Sequence, residues 1–291
     1  MAIYNLGSIN ADLVYRVPHL PTAGETLAST SLSRGLGGKG ANMSVAASRA
    51  AARVVHIGAV GEDGAWAVGR MLEYGVDTRS IAVVDQQTGH AIIAVDDAGE
   101  NLILLFPGAN HAISETQIAQ ALKDAGPDDI FLFQNETNAG AYAAGIASRQ
   151  GLRVAYAAAP FDAAAVAAVL PLLDILVLNA VEAAQLEEAT GQTMANLPVR
   201  DVVVTLGADG CRWYNTDAGE AQHFPAIPVT PVDTTGAGDT FTGYLMAGLD
   251  RGMPMAQAIT LAQRAAAIMV TRIGTADVIP DLKDLEDARF S

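Results

Sequence analysis

The sequence has one cysteine and few basic residues, and each shortage excludes a class of protein. Cys211 is the single cysteine in 291 residues, so no internal disulfide can form, and a disulfide-stabilised secreted domain is excluded. Lysine and arginine number 17 against 32 aspartate and glutamate, a formal net charge of −15. Neither nucleic acid nor an anionic membrane surface is therefore an expected partner, because both attract clustered positive charge.

The sequence also lacks an uninterrupted apolar run of membrane-spanning length. Its most apolar stretch, residues 154–178, is broken by Pro160, Asp162, Pro171 and Asp174, a pattern that predicts strand, loop, helix and strand. The first residues show no basic region followed by an apolar signal core, and together with the single cysteine this favours a cytoplasmic location.

Charged residues make up only 17% of the chain and hydrophobic residues 51%, which excludes disorder and allows a sizeable core. From residue 113 onward, helical and strand patterns alternate, which predicts an α/β fold with a mostly parallel sheet and ligands at the carboxyl ends of the strands. Residues 13–17 and 26–34 and a hairpin of residues 88–95 and 101–106 predict a small separate sheet, interpreted as a lid.

The stretch Asp233-Thr234-Thr235-Gly236-Ala237-Gly238-Asp239-Thr240-Phe241 is a glycine-bearing turn that leads into an amphipathic run typical of a helix. The amides of Gly236, Ala237 and Gly238, together with the helix dipole, predict an anion site. A carboxylate beside that site suggests that Asp239 takes a proton from a substrate hydroxyl while the amides stabilise a transferring phosphoryl group. The motif alone fits an ordinary acidic residue in a first helical turn equally well.

Other polar residues follow predicted strands. Asn10 and Asp12 follow the strand 2–6 and face the same side of an extended chain. Residues 35–42 carry four glycines around Lys39 but lack the Walker A spacing, so they predict a binding loop before a helix at 43–52, although a solvated lysine is the simpler reading. Glu136 follows the strand 130–134. Asn179 and Glu182 predict either a capping box or a position near the water shell of a metal.

Five motifs in one order resemble the ribokinase (PfkB) sugar kinase family, and the first two resemble ribokinases more closely than the family at large. They are Gly7-Ser8-Ile9-Asn10-Ala11-Asp12, Gly37-Gly38-Lys39-Gly40-Ala41-Asn42, Asn179 with Glu182, Thr205-Leu206-Gly207, and the stretch 233–239. The resemblance implies a single domain over residues 1–291, a doubly wound, mostly parallel sheet with helices on both faces. Lid strands would be inserted at about 12–34 and 88–107.

By matching position, the resemblance assigns roles in a sugar kinase that uses ATP and Mg²⁺. Asp239 would be the base, with the amides of Gly236, Ala237 and Gly238 as the anion hole. The sugar would be held by Asn10, Asp12, Gly38, Lys39, Asn42, Glu136 and Asp239. The nucleotide would lie against Asn179, Thr205, Gly207, Gly210, Gly238 and Gln263, and Asn179 and Glu182 would hold Mg²⁺ through water.

The resemblance also implies a monovalent-cation loop for K⁺, formed by Asp233, Thr235, Arg272 and Gly274 within the segments 233–235 and 272–278. The chain departs from ribokinases at Val278, where they have serine, so weaker activation by K⁺ is expected. It departs again at Gln263, where they have asparagine, and at Ala157, where they have the first residue of Asn-Pro-Ala-Pro.

Three functions follow from these residues. The first is phosphorylation of the primary hydroxyl of a pentose, with ribose converted to ribose 5-phosphate. The second is a kinase for another furanose or a nucleoside, and the third is a non-catalytic sugar-binding regulator on a kinase scaffold. The one-sided apolar lid strands predict a homodimer in which two lids pack together.

Overall fold

The structure, a computed structural model, describes residues 1–290. The strands are β1 Ile3–Leu6, β2 Asn10–Arg16, β3 Ser31–Gly37, β4 Val54–Gly61, β5 Ile81–Val84, β6 Gly89–Val95, β7 Asn101–Phe106, β8 Ile130–Gln134, β9 Arg153–Ala157, β10 Ile175–Asn179, β11 Asp201–Thr205, β12 Cys211–Asn215 and β13 Glu220–Phe224. The helices are α1 Lys39–Arg49, α2 Ala65–Glu73, α3 Glu115–Ala121, α4 Gly140–Arg149, α5 Ala163–Val169, α6 Ala180–Thr190, α7 Ala237–Asp250, α8 Met255–Met269 and α9 Leu282–Asp287.

A nine-stranded sheet forms the body, in the order β13-β12-β11-β10-β9-β8-β1-β4-β5. It is parallel from β11 to β5, and the antiparallel hairpin β12–β13 closes one edge. Helices α1, α2, α7, α8 and α9 contribute to the core on one face, and α3 to α6 contribute to the core on the other. Because both faces are covered, the central strands are mostly apolar, with Asn5, His56 and Gln134 as buried polar exceptions, and the predicted doubly wound α/β fold is confirmed.

A second sheet of four strands, in the order β3-β2-β6-β7, stands apart from the body and forms the predicted lid. β2 pairs antiparallel with β3 and parallel with β6, and β6 and β7 form the expected hairpin. Every residue of β7 is exposed, including Leu104 at 60%. The lid therefore presents apolar surface to solvent as well as to the body.

Several predicted boundaries were wrong. The first lid strand begins at Asn10, so Asn10 and Asp12 lie on β2 and not in a turn before it. The second lid strand occupies Ser31–Gly37, not 26–34. The glycine-rich stretch around Lys39 is not an open loop, because β3 ends at Gly37, Gly38 turns the chain at a φ of 91°, and the helix starts with Lys39, four residues earlier than predicted. The short edge strand β5 was not predicted.

Among residues 1–290, no helix combines the length and the hydropathy that a membrane crossing needs. This agrees with the interrupted apolar stretch, which folds as β9, α5 and β10.

Candidate active site

The start of α1 is held by groups that come from the ends of other strands. The Ser8 hydroxyl donates to Glu136 Oε2 at 2.5 Å and accepts from the Gly40 amide at 3.2 Å. The Lys39 amide donates to the same Glu136 oxygen at 3.1 Å, and the Ala41 amide donates to the Ser8 carbonyl at 2.8 Å. The free amides of the first helical turn are therefore satisfied by residues after β1 and β8, which fixes α1 against the carboxyl edge of the sheet.

Two glycines allow this close approach. A side chain on Gly40 would fall inside the van der Waals radius of the Gly7 backbone, and one on Gly7 would meet Gly40 in the same way. Behind them, the His56 ring donates from Nε2 to the Gly7 carbonyl at 3.0 Å. Asn5 donates to the Gly40 carbonyl at 2.8 Å. Burial lowers the pKa of His56 to about 4, so the ring is neutral at pH 7 and its Nδ1 accepts from the Ser44 hydroxyl.

The sugar-side residues of β2 are buried and point the same way. Asn10 accepts through Oδ1 from Asn110 Nδ2 at 2.7 Å, which leaves the Asn10 amide N–H groups to face the site. Asp12 is 9% exposed. The pKa of Asp12 is raised to about 7, first by burial and then by Glu136 and Asp239, while Thr275 lowers it. Three carboxylates thus share one small region, as expected of a site that binds several hydroxyl groups.

Asp239 lies in the first turn of α7 and is 8% exposed. Asn42 Nδ2 donates to Asp239 Oδ2 at 2.8 Å, while Asn42 Oδ1 is buried without a partner among the described residues. Burial raises the pKa of Asp239, and Lys39 and Asn42 oppose that rise. Asp239 is therefore a carboxylate with a raised pKa that Asn42 holds in place. Such a group is suited to act as a base on a bound hydroxyl.

The ammonium of Lys39 balances this negative region. Asp239 and Glu136 raise the pKa of Lys39, although burial lowers it, so the side chain stays charged at pH 7. The structure therefore places Lys39 among the carboxylates of the site and not in solvent.

The turn before α7 has the shape expected of an anion hole. Gly236 adopts the left-handed conformation at a φ of 72°, and Ala237 and Gly238 begin the helix. Among the described residues, the amides of Gly236 and Gly238 donate to no protein acceptor. These amides and the positive end of the α7 dipole lie directly beside the Asp239 carboxylate.

A cavity of about 470 Å³ lies on the other side of that turn, between the end of β11, the loop after β13 and the helices α7 and α8. Five of the six residues predicted to contact a nucleotide line it: Thr205, Gly207, Gly210, Gly238 and Gln263. Asn179 does not line it. Gln263 donates through Nε2 to the carbonyls of Phe224 and Pro225 at 3.1 and 3.2 Å, so its amide nitrogen is already engaged by the protein.

Asn179 and Glu182 form the capping box at the start of α6. Asn179 Oδ1 accepts from the Glu182 amide at 2.9 Å, and Glu182 Oε2 accepts from the Asn179 amide at 2.8 Å. Burial raises the pKa of Glu182, the Asn179 amide and Lys39 lower it, and Asp239 raises it, which places its carboxylate within electrostatic reach of the site. The pair therefore caps α6, and this role is compatible with a position near the water shell of a metal.

The predicted cation loop is held by Asp233. Its Oδ1 accepts from the Thr235 amide at 2.9 Å, and its Oδ2 accepts from the Gly274 amide at 3.2 Å. The guanidinium of Arg272 turns away, donating to the Val278 carbonyl at 3.0 Å and pairing with Asp284. The Arg272 side chain therefore fixes the backbone of this segment and offers no ligand to a cation.

Sequence reasoning missed Ser8 and Asn110, which position Glu136 and Asn10. Ser8 lies within a quoted motif, but its partners are 128 and 32 residues away, so no local pattern reveals its role. Asn110 follows the lid in a short 3-10 helix, Gly108–His111, and is 1% exposed.

Comparisons with known proteins agree with this geometry. The model of the family described as "pfkB family carbohydrate kinase" matches residues 3–282. The chain is 36% identical over 293 residues to the ribokinase of Haemophilus influenzae, covering 94% of each chain. It superimposes on the crystal structure of a Thermotoga maritima ribokinase with a TM-score of 0.88 and 29% identity over 98% of both chains.

An Arabidopsis thaliana ribokinase solved with ribose and ATP gives a TM-score of 0.83 at 26% identity, over 98% of both chains. The matched length, the two sheets and the order of the motifs lead to one conclusion: the chain belongs to the pfkB family of carbohydrate kinases.

Proposed function

We propose that this protein transfers the γ-phosphoryl group of ATP to the primary hydroxyl of ribose, giving ribose 5-phosphate and ADP. The observation that carries the proposal is the position of Asp239, a buried carboxylate with carboxylate and amide side chains on one side and the free amides of the α7 turn on the other. A non-catalytic sugar-binding regulator gains nothing from a buried base beside an anion hole. The relatives named ribokinase support ribose as the acceptor.

In this mechanism Asn10, Asp12, Gly38, Lys39, Asn42 and Glu136 hold the sugar, and its reacting hydroxyl donates to Asp239. The hydroxyl oxygen forms a bond to the γ-phosphorus as the bond from that phosphorus to the β-phosphate oxygen breaks. The hydroxyl proton passes to Asp239, and ADP leaves. The free amides of Gly236 and Gly238 stabilise the negative charge on the transferring group, and Lys39 adds a positive charge nearby. The Ala237 amide, also predicted for the anion hole, donates to the Thr234 carbonyl at 3.3 Å and so helps to hold the turn.

The residues present fit a magnesium ion bound mainly by phosphates and water. Among residues 1–290 no cluster of three or more His, Cys, Asp or Glu side chains is arranged to hold a metal. Mg²⁺ keeps several waters and takes few protein carboxylates when it binds with nucleotide phosphates. Glu182 Oε1 and the Asn179 side chain would hold such waters. When bound, the ion neutralises phosphate charge.

For potassium, we propose a loop formed by Asp233, Thr235, Arg272 and Gly274 with weak activation. Asp233 supplies negative charge, but both of its oxygens already accept amide hydrogen bonds. Val278 supplies no hydroxyl.

We further propose a homodimer formed through the lids. Strand β7 exposes apolar side chains on both faces of the lid, at 60% for Leu104 on one face and at 55% for Ile103 and 53% for Leu105 on the other, and exposed apolar surface of this kind is typical of an interface. Sedimentation tests this with Leu104→Asp, which should dissociate and lose sugar affinity. Leu72→Asp, at a leucine on α2 that is 62% exposed, is the matched control and should change neither. A monomeric wild type with full activity would refute the dimer.

A cytoplasmic location is proposed as well, because the single cysteine, Cys211, is buried and free. Fractionation of cells of the source organism tests this, and recovery outside the cytoplasm would contradict it.

A coupled assay of ADP release tests the function, run over pentoses, hexoses and nucleosides with and without potassium. Ribose should give the highest kcat/KM. A nucleoside or another furanose giving the highest value would replace ribose as the substrate, and binding of sugar without ADP release would favour the regulator.

A further inference from the structure

Thr275 follows the Gly274 of the proposed cation loop and reaches the lid. Its hydroxyl donates to the carbonyl of Leu36 at 2.8 Å, a contact between residues 239 positions apart. Leu36 lies in β3 opposite Ala11, between the pairs that Asp12 forms with Gly35 and Asn10 forms with Gly37. Thr275 thus touches the part of the lid that carries the sugar-side residues.

The Asp12 carboxylate lies against the same end of β3, because a side chain on Gly37, the residue after Leu36, would meet the Asp12 carboxylate oxygens. Burial and Glu136 raise the pKa of Asp12, and the nearby Thr275 hydroxyl lowers it. The other charged group that acts on Asp12 is Asp239, on α7, and Lys39 on α1 responds to both Glu136 and Asp239. Thr275 is the uncharged group that opposes this repulsion.

The backbone around Thr275 is held in place on three sides. The Gly274 amide is bound by Asp233, which also binds the Thr235 amide just before the anion hole. Asp277 receives hydrogen bonds from Arg70 and Tyr74 of α2, and its carbonyl accepts from Arg49 of α1. The Thr275 hydroxyl therefore projects from a fixed segment and not from a free loop.

We propose that Thr275 is a positioning residue, which orients Asp12 and the end of β3 for sugar binding and links them through Gly274 and Asp233 to the anion hole. The inference rests on the proposed function, since it gives Asp12 the role of a sugar ligand. Thr275 itself touches no reacting atom in this account.

A hydroxyl carries one proton, so Thr275 cannot donate to Leu36 and to Asp12 at once. When Asp12 is ionised, the proton is shared between two competing acceptors. When Asp12 is protonated, it donates to Thr275 Oγ while Thr275 donates to Leu36. Both arrangements hold the Asp12 carboxylate against the end of β3. Both are lost when the Thr275 hydroxyl is removed.

Calorimetric titration of the full-length protein with ribose, without ATP, tests the proposal. Thr275→Val and Thr275→Ala should raise the ribose Kd about fivefold to tenfold, the effect of losing one good hydrogen bond, and Thr275→Ser should restore it. Thr271→Val is the matched control, because that hydroxyl bonds only the Ile268 carbonyl within its own turn. In steady-state assays the ribose KM should rise while the ATP KM and kcat stay within about twofold of the wild-type values. A twofold change is smaller than the loss of one hydrogen bond would cause.

A second readout does not depend on the substrate. The carboxyl ¹³C resonance of Asp12, assigned with Asp12→Asn, should titrate at higher pH in Thr275→Val than in the wild type and in Thr271→Val. An unchanged midpoint, or a Kd that rises equally in Thr275→Ser, would overturn the role of Thr275. If the wild type binds no sugar, the proposed function is wrong. The midpoint of the Asp12 titration still decides whether Thr275 affects the protonation of Asp12.

Discussion

Sugar affinity is expected to fall as the pH drops through neutrality, because Asp12 must be ionised to accept strongly from sugar hydroxyls. Its pKa is raised to about 7, first by burial and then by Glu136. A carboxyl group with this pKa is about 90% ionised at pH 8 and about 10% ionised at pH 6. If only the ionised form binds well, the apparent Kd for ribose rises about tenfold across that interval.

The energy available is sufficient for this change. A charge-assisted hydrogen bond contributes about 1.5 to 3 kcal/mol, and a tenfold change in affinity corresponds to about 1.4 kcal/mol. Losing the charge on Asp12 can therefore account for the whole effect.

Calorimetry at pH 6, 7 and 8, at constant ionic strength and in the absence of nucleotide, measures the ribose Kd. Asp12→Asn, which has a similar shape but does not titrate, should bind ribose weakly with no pH dependence. Asp239→Asn should keep a pH-dependent Kd, with the midpoint moved to lower pH because Asp239 no longer raises the pKa of Asp12, which separates Asp12 from the other buried carboxylate. A wild-type Kd that stays flat from pH 6 to pH 8, or a slope that survives in Asp12→Asn, would refute the reasoning.

Three further changes test other parts of the site. Asp239→Asn should lower kcat by about 10²- to 10⁴-fold while ribose and ATP still bind, because only the proton transfer loses its base; near-normal turnover would remove Asp239 from that role. Gly40→Ala should destabilise the protein by about 1 to 3 kcal/mol in urea unfolding, because the new methyl group meets the Gly7 backbone. Its control Gly69→Ala, in open space on α2, should be neutral or stabilising, and equal effects would contradict the close contact. Titration with KCl at constant ionic strength should give only weak activation, and a saturable, many-fold increase would show that the loop binds K⁺ strongly despite Val278.

The sequence predicted the body of the fold better than the lid, for physical reasons. The central strands such as β8 and β9 are mostly apolar because both of their faces are buried, and their predicted bounds are those observed. The lid strand β3, in contrast, is Ser-Leu-Ser-Arg-Gly-Leu-Gly, exposed over most of its length, and carries little pattern. Its position is set by pairing with β2.

Helix α1 shows a different limit. Its N-cap is Gly38, its first turn contains Gly40 and no side chain caps it, so the sequence favours a loop there. Ser8 and Glu136 supply the missing acceptors from other strands. Asn110 and Thr275 could not be predicted for the same reason, because each acts on residues more than 90 positions away.

We expect the γ-phosphoryl group of ATP to pass directly to the primary hydroxyl of ribose, with Asp239 as the base. Incubation of the protein with ATP, Mg²⁺ and ¹³C-labelled ribose, followed by NMR, tests it most directly. One ADP should form for each ribose consumed, and a new phosphorus coupling should appear at the C5 carbon. Neither product should form with Asp239→Asn. ADP formed without phosphorylated ribose, phosphate on another hydroxyl, or full transfer by Asp239→Asn would contradict it.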